Sequence, residues 1–436
     1  MRLIETQTLE LREFFDSEIP PYAILSHAWG KEEVTLQDWL YAHNQNPPRW
    51  ASVRFERKKK VNLLKSKGGY IKITNACRLA RLSGHGWIWV DTVCIDKKSS
   101  AELSEAINSM FNWYGNAVVC YAFLADVPNL APKACRVLDS PFRKSRWFER
   151  GWTLQELIAP KRVEFYSQHW IGIGSKQDLI DLIEDITKVP QDCPENSNIL
   201  PYYTIAAKMS WASERKTSRT EDIAYCLMGI FDVQMPLLYG EGGKNAFMRL
   251  QEEIMKESTD HSLFAWRRSP PRGTESQPRI DPLAWGILAT HPSQFKETAS
   301  VRNLEALRNP YSMTSIGLRI QLPILVWDEK EFAILQCGVN GWGMQSLGIL
   351  ISQINAEYGD GGLYARTPHW NVYLVSPELV ALGRVRTLYL CKRDINPPLE
   401  LPEEPERTHD EWVEMAVNDL GVFLYLHEMF PGDLGE

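Results

Sequence analysis

The chain has 436 residues, enough for two or three domains. Hydrophobic residues make up 44% and charged residues 24%, which excludes a disordered or fibrous chain and fits an ordinary globular one. A net charge of −7 argues against a general nucleic-acid binder, which is normally basic. Met1–Phe15 carries Glu5, Glu10, Arg12 and Glu13 and lacks the apolar core of a signal peptide. No apolar run is long enough for a membrane-spanning helix. The 8 cysteines include no C-x-x-C pair, so a zinc ribbon or redox dithiol is not expected, and no metal site is read. Buried free thiols in the reducing cytoplasm are the expectation.

Tyr22–Trp29 is a short apolar run that breaks into Ser26, His27 and Gly30. It reads as a buried strand delivering polar side chains at its carboxyl end, where open parallel sheets bind ligands. Val34–His43 reads as a short helix. Asn46–Lys67 reads as an irregular basic insertion, solvated or facing phosphate or an acidic partner. Gly68-Gly69 separates it from a helix over Ile71–Leu82. Trp87–Cys94 is a second buried strand leading to Asp91 and Asp96. Ser99 or Ser100 caps an amphipathic helix in which Leu103, Ala106, Ile107, Met110, Phe111 and Tyr114 recur at helical spacing. Ala117–Leu124 is a third strand, apolar throughout and so covered on both faces.

Ser145–Tyr166 concentrates unusual chemistry. Trp152 and Glu156 share a helix face, and Pro160 ends that helix. Val163–Tyr166 is the next strand. A carboxylate flanked by Trp147, Trp152 and Arg150 can stack a ring, hold phosphate and face a developing positive charge. The same residues also fit a plainer arrangement, with the tryptophans in the core and Glu156 paired to Arg150 at the surface. The alternation of strands and helices predicts an α/β fold built on an open parallel sheet. Ser26, His27, Asp91, Asp96 and Glu156 then fall near strand carboxyl ends, where one cleft would gather them.

Further on, Gln177–Ile186, Ile205–Trp211, Thr220–Phe231 and Ala246–Lys256 read as helical. Tyr239–Lys244 is a glycine-rich turn without Walker spacing, a helix entry or, less simply, a phosphate cradle. Residues 267–281 read as a linker, and 282–395 as a smaller β-rich sandwich or barrel with nothing catalytic in it. Residues 396–436 are an acidic, proline-rich linker followed by a terminal helix over Thr408–Leu420.

Three blocks, Tyr22–Gly30, Trp87–Asp96 and Arg150–Leu157, resemble in order and spacing the signature blocks of the fungal heterokaryon-incompatibility (HET) domain. Arg219–Tyr225 and Pro236–Gly242 look like its closing pattern. The resemblance covers roughly residues 1–266, a TIR-like core at about 20–170 and a helical extension at 171–266. It implies a cell-death role in nonself recognition when unlike hyphae fuse, a form of fungal innate immunity. HET domains are held to be distant relatives of TIR domains, which are flavodoxin-like sheets. The resemblance then places Glu156 at the TIR glutamate that cleaves nicotinamide from NAD. It implies Glu156 as catalytic residue and Ser26, His27, Trp29, Asp91, Asp96, Arg150 and Trp152 around the substrate, with NAD or a related nucleotide as substrate rather than cofactor. The competing reading is a non-catalytic death-signalling module that works by self-association. A third makes the β-rich domain the sensor of a partner. An upstream protein activator fits any of them.

Overall fold

The computed structural model describes residues 1–43, 51–268, 284–304, 309–341, 343–355, 362–367 and 372–394. The start of the basic insertion at residues 46–50, most of the 267–281 linker and the terminal helix at Thr408–Leu420 lie outside them. The chain divides into two compact units. The first comprises Met1–Leu200, Arg215–Ser218 and Tyr225–Leu237, and the second Pro201–Glu214, Arg219–Ala224 and the chain from Leu238 onward.

The first unit begins with β1 (Arg2–Glu5), β2 (Leu11–Glu13) and β3 (Ala23–His27). Then come α1 (Leu36–His43), α2 (Ala51–Ser66), α3 (Gly68–Leu82), β4 (Trp87–Trp89), α4 (Asp91–Cys94), α5 (Ser100–Asn116) and β5 (Val119–Phe123). It continues through α6 (Pro132–Cys135), α7 (Arg146–Glu149), α8 (Thr153–Ile158), β6 (Val163–Tyr166), β7 (Gly172–Ser175) and α9 (Ile180–Thr187). The strands form a seven-stranded sheet in the order β2-β1-β4-β3-β5-β6-β7. The four central strands β4, β3, β5 and β6 are parallel, as their unbroken apolar runs require, and every residue of β3 and β5 is buried.

The sheet as a whole is mixed rather than purely parallel. β1 runs antiparallel to both β2 and β4, and β7 antiparallel to β6. For β1 with β2 and for β6 with β7 the physical reason is connection length. Residues 6–10 and 167–171 are too short for a crossover, so each joins its strands as an antiparallel hairpin. The chain leaves β3 for β4 on one side and then passes to β5 on the other. The strand order therefore reverses between β3 and β5, where such sheets open a crevice at their carboxyl ends.

Two further expectations are corrected. The described part of the basic insertion is not irregular: Ala51–Ser66 is a helix. Lys and Arg are good helix formers and no Gly or Pro interrupts the stretch, so its charge does not stop it. The second strand stops at Trp89, and Asp91–Cys94 is a helical turn, which places Asp91 at the turn's first residue.

In the second unit, the glycine-rich turn at Tyr239–Lys244 precedes a helix over Gly243–Glu257. Its amides are already engaged, since the Gly240 and Gly242 N–H groups donate to Glu221 Oε1 at 2.9 and 3.2 Å. The phosphate-cradle alternative is thereby closed. The β-rich part contains β8 (Arg302–Asn303), β9 (Ser312–Met313), β10 (Leu318–Trp327), β11 (Lys330–Gly341), β12 (Gly343–Asn355), β13 (Leu363–Arg366), β14 (Tyr373–Val375) and β15 (Arg384–Leu390). Pairing runs β12-β13-β15-β10-β11 and returns from β11 to β12, so these strands close on themselves as a small barrel. Leu325, Phe332, Ile334, Leu350, Val375 and Leu379 pack into one of its apolar clusters.

Candidate active site

Ser145 caps α7 by accepting from the Trp147 N–H at 3.3 Å, and its own hydroxyl donates to Asp126 at 2.8 Å. That cap turns Trp147 inward, where its indole is 1% exposed and Nε1 donates to Ser26 Oγ at 2.8 Å. Ser26 Oγ in turn donates to Glu156 Oε2. A relay from Trp147 through Ser26 to Glu156 thus joins α7, the end of β3 and α8. Glu156 is 7% exposed. Burial raises its carboxyl from the ordinary range to about 8, against the pull of Ser26, Arg150 and Tyr114 and with a push from Asp91. The carboxyl is therefore protonated at neutral pH. It makes no surface ion pair with Arg150.

α8 is short, and two buried cations hold its ends. Arg215 Nη1 donates to the Arg150 carbonyl at 2.8 Å and to Thr153 Oγ1 at 3.0 Å. Lys176 Nζ donates to the Leu157 carbonyl at 3.3 Å and to that of Pro160. Lys176 thereby satisfies carbonyls at the helix's negative end, and burial lowers its ammonium to about 8. Arg150 contributes its carbonyl to this corner and its charge to Glu156. Trp152 is the N-cap of α8 and is half-buried.

His27 follows Ser26 on β3, so its side chain leaves the opposite face of the sheet. Its Nε2 lies 3.7 Å from Asp91 Oδ1 and 3.9 Å from Glu33 Oε2. Neither ring nitrogen has a hydrogen-bond partner, and neither do those two carboxylate oxygens. Burial and the Lys72 ammonium lower the imidazole to about 4, so it is neutral. Lys72 Nζ donates to Glu33 Oε1 at 2.6 Å. Burial pushes the Asp91 carboxyl up, but Lys97 and the other cationic groups outweigh it and hold the carboxyl below its ordinary value. Trp29 Nε1 donates to Asp91 Oδ2 at 2.8 Å, and the Lys97 ammonium sits 3.5 Å from the Trp29 ring centroid. Asp96 stands apart, accepting from Gln37 at 2.8 Å and from the Lys98 N–H at 3.0 Å.

The structure thus brings Ser26 to Glu156, and His27 and Trp29 to Asp91. A crevice of about 550 Å³ opens at the carboxyl ends of β3, β5 and β6, on the His27 side. Its walls include Ala28, Glu33, Lys72, Phe123, His169 and Trp170. Glu156 is not among the lining residues. Among the described residues, no group of three or more His, Cys, Asp and Glu is arranged to hold a metal ion. Glu33, Lys72, Lys97, Lys176, Arg215 and Trp170 have no motif around them that sequence reasoning could use. The sequence marks Trp147 beside Glu156 and Tyr114 on the apolar face of α5, without showing that both act on the Glu156 carboxyl.

Comparison with known proteins covers part of this region. The family model described as "Heterokaryon incompatibility protein (HET)" matches residues 22–132, which contain β3, β4 and β5. Residues 22–132 thus resemble a HET domain. A second family model, a domain of unknown function (DUF8212), matches residues 245–330. The chain is 41% identical over 299 residues to the "Vegetative incompatibility protein HET-E-1" of Podospora anserina, a match covering 66% of this chain and 20% of that protein. The chain therefore spans about a fifth of that relative's length. No solved structure matches it. No helix among the described residues is long and apolar enough to cross a membrane.

Proposed function

We propose that this chain is an effector of heterokaryon incompatibility and cell death, acting in the cytoplasm by hydrolysing NAD. The incompatibility role is supported by the HET match and by the name of the relative. The order of the four parallel strands, second-first-third-fourth, is that of a flavodoxin-like sheet and supports the TIR-like reading. The observation that carries the chemistry is Glu156, an ionisable carboxyl held by Ser26 at the end of the central strand. In the proposed reaction the bond from nicotinamide to ribose breaks, and its electron pair leaves with the nicotinamide. The ribosyl carbon becomes an oxocarbenium ion, water adds to it, and one proton is released. Glu156, neutral at rest, gives its proton to water as the cationic ring arrives, stabilises the developing charge as the carboxylate, and takes a proton back as the products leave, so the net release stays at one. Ser26, His27, Trp29, Asp91, Arg150 and Trp152 are proposed to shape that site, with Asp96 left to its bonds with Gln37 and Lys98. Release of nicotinamide from NAD by the full chain, absent in Glu156→Gln, tests the reading. Release that survives the substitution defeats it.

One observation favours a second reading. Glu156 is enclosed and lies off the crevice lining. On that reading its carboxyl is a structural acid, and the chain signals by self-association under an upstream activator.

A further inference from the structure

The hairpin between β6 and β7 places a tryptophan where the backbone suits glycine. Trp170 has φ of +62°. Bulky side chains seldom occupy this left-handed region, and glycine or asparagine is the usual choice in such a hairpin. The turn is not loose. Ser167 Oγ donates to Asn129 Oδ1 at 2.8 Å, and the Gln168 N–H donates to the Val127 carbonyl at 2.9 Å. The Trp170 N–H closes the turn onto the Ser167 carbonyl at 2.9 Å. So anchored, the indole stacks on Phe123, the last residue of β5, with centroids 4.6 Å apart and planes 18° from parallel. Both rings line the crevice. A costly backbone conformation that carries a large flat ring into an open crevice is the kind found at ligand clamps.

The crevice also carries Lys31, Lys72 and Arg78. Glu33 neutralises Lys72. Glu32 accepts from the Gly68 N–H at 3.1 Å and so occupies the start of α3. Lys31 and Arg78 make no ion pair among the described residues. One ligand therefore meets an aromatic platform and uncommitted cations, the chemistry of a planar base joined to phosphate.

We propose that Trp170, backed by Phe123, seats the base of a nucleotide whose phosphates lie toward Lys31 and Arg78. The inference deepens the NAD reading and rests on it for the choice of nucleotide. The test is calorimetric binding of ADP-ribose and of ribose 5-phosphate, which lacks the base, to the full chain. Wild type binds ADP-ribose far more tightly than ribose 5-phosphate. Trp170→Gly, which suits the turn, weakens ADP-ribose on the order of ten- to a hundredfold, whereas Trp170→Phe keeps most of the affinity. Trp170→Asn also tolerates the turn and serves as a second variant without the ring. No ADP-ribose binding by wild type, or equal binding by the Gly and Asn variants, overturns the proposal. Binding that depends on Trp170 without NAD consumption removes the hydrolase and leaves the seat. NAD hydrolysis whose KM ignores Trp170→Gly removes the seat and leaves the hydrolase.

Discussion

Replacing Glu156 with glutamine makes the fold's pH dependence report on the state of one side chain. The folded protein holds the Glu156 proton up to about pH 8, whereas an ordinary glutamate releases it near 4.5. The neutral form is thus favoured by folding. Its stabilising contribution is full below about pH 4.5 and is lost as pH rises through about 8. At about 1.4 kcal/mol per pH unit this accumulates to a ceiling of ~5 kcal/mol across the window. Glutamine keeps the shape and has no proton to lose. The His27 contribution is common to both proteins and cancels in the difference. Urea unfolding of both proteins at about pH 5, 7 and 9 measures that difference. The glutamine variant gains on wild type at each step upward and is the more stable of the two at pH 9. Parallel pH profiles would refute the reasoning, because they mean that Glu156 ionises as an exposed carboxyl does.

Other substitutions probe neighbouring links. His27, lowered to about 4, stabilises the fold above its ordinary 6.5 and ceases to as pH falls through 4, so His27→Asn flattens the loss of stability over that range in thermal melts. Ser26→Ala leaves the Trp147 N–H and the Glu156 carboxyl without their shared partner and costs about 1–3 kcal/mol, read as a drop in urea midpoint; no change would place Ser26 outside the relay. A methyl at Gly151 would meet Thr217 Cγ2 at 2.6 Å and Cys226 Sγ at 3.0 Å, so Gly151→Ala costs about 1–3 kcal/mol and disturbs the corner before α8.

The parts of the fold legible in the sequence are those set by local pattern. Val163–Tyr166 is a strand over the stretch its residues indicate, and Ser99 caps α5 by accepting from the Glu102 N–H at 3.3 Å. The apolar runs of β3 and β5 marked a sheet covered on both faces. The outer hairpins were not legible as such. β1 and β2 are short strands whose pairing depends on the neighbour they meet, and β2 is largely exposed. At the site, the sequence marked Ser26 and Glu156 separately, although their bond joins residues 130 apart. Lys176 and Arg215 are solvated cations by any local rule, and only the tertiary fold buries them against the carbonyls of the Glu156 corner. Trp170 carries no signal because a single aromatic in a hairpin does not reveal its φ angle.

The central claim is that Glu156 performs chemistry on NAD, and the level of NAD in cells expressing the full chain tests it most directly. Wild type and Glu156→Gln are compared at matched expression, with cell survival scored alongside. The account predicts that wild type depletes NAD and kills, while the glutamine variant accumulates as folded protein, spares NAD and spares the cell. Loss of one preorganised electrostatic group of this kind slows the chemical step on the order of a hundred- to a thousandfold. Killing by both proteins with NAD unchanged would contradict the account and leave self-association as the working activity.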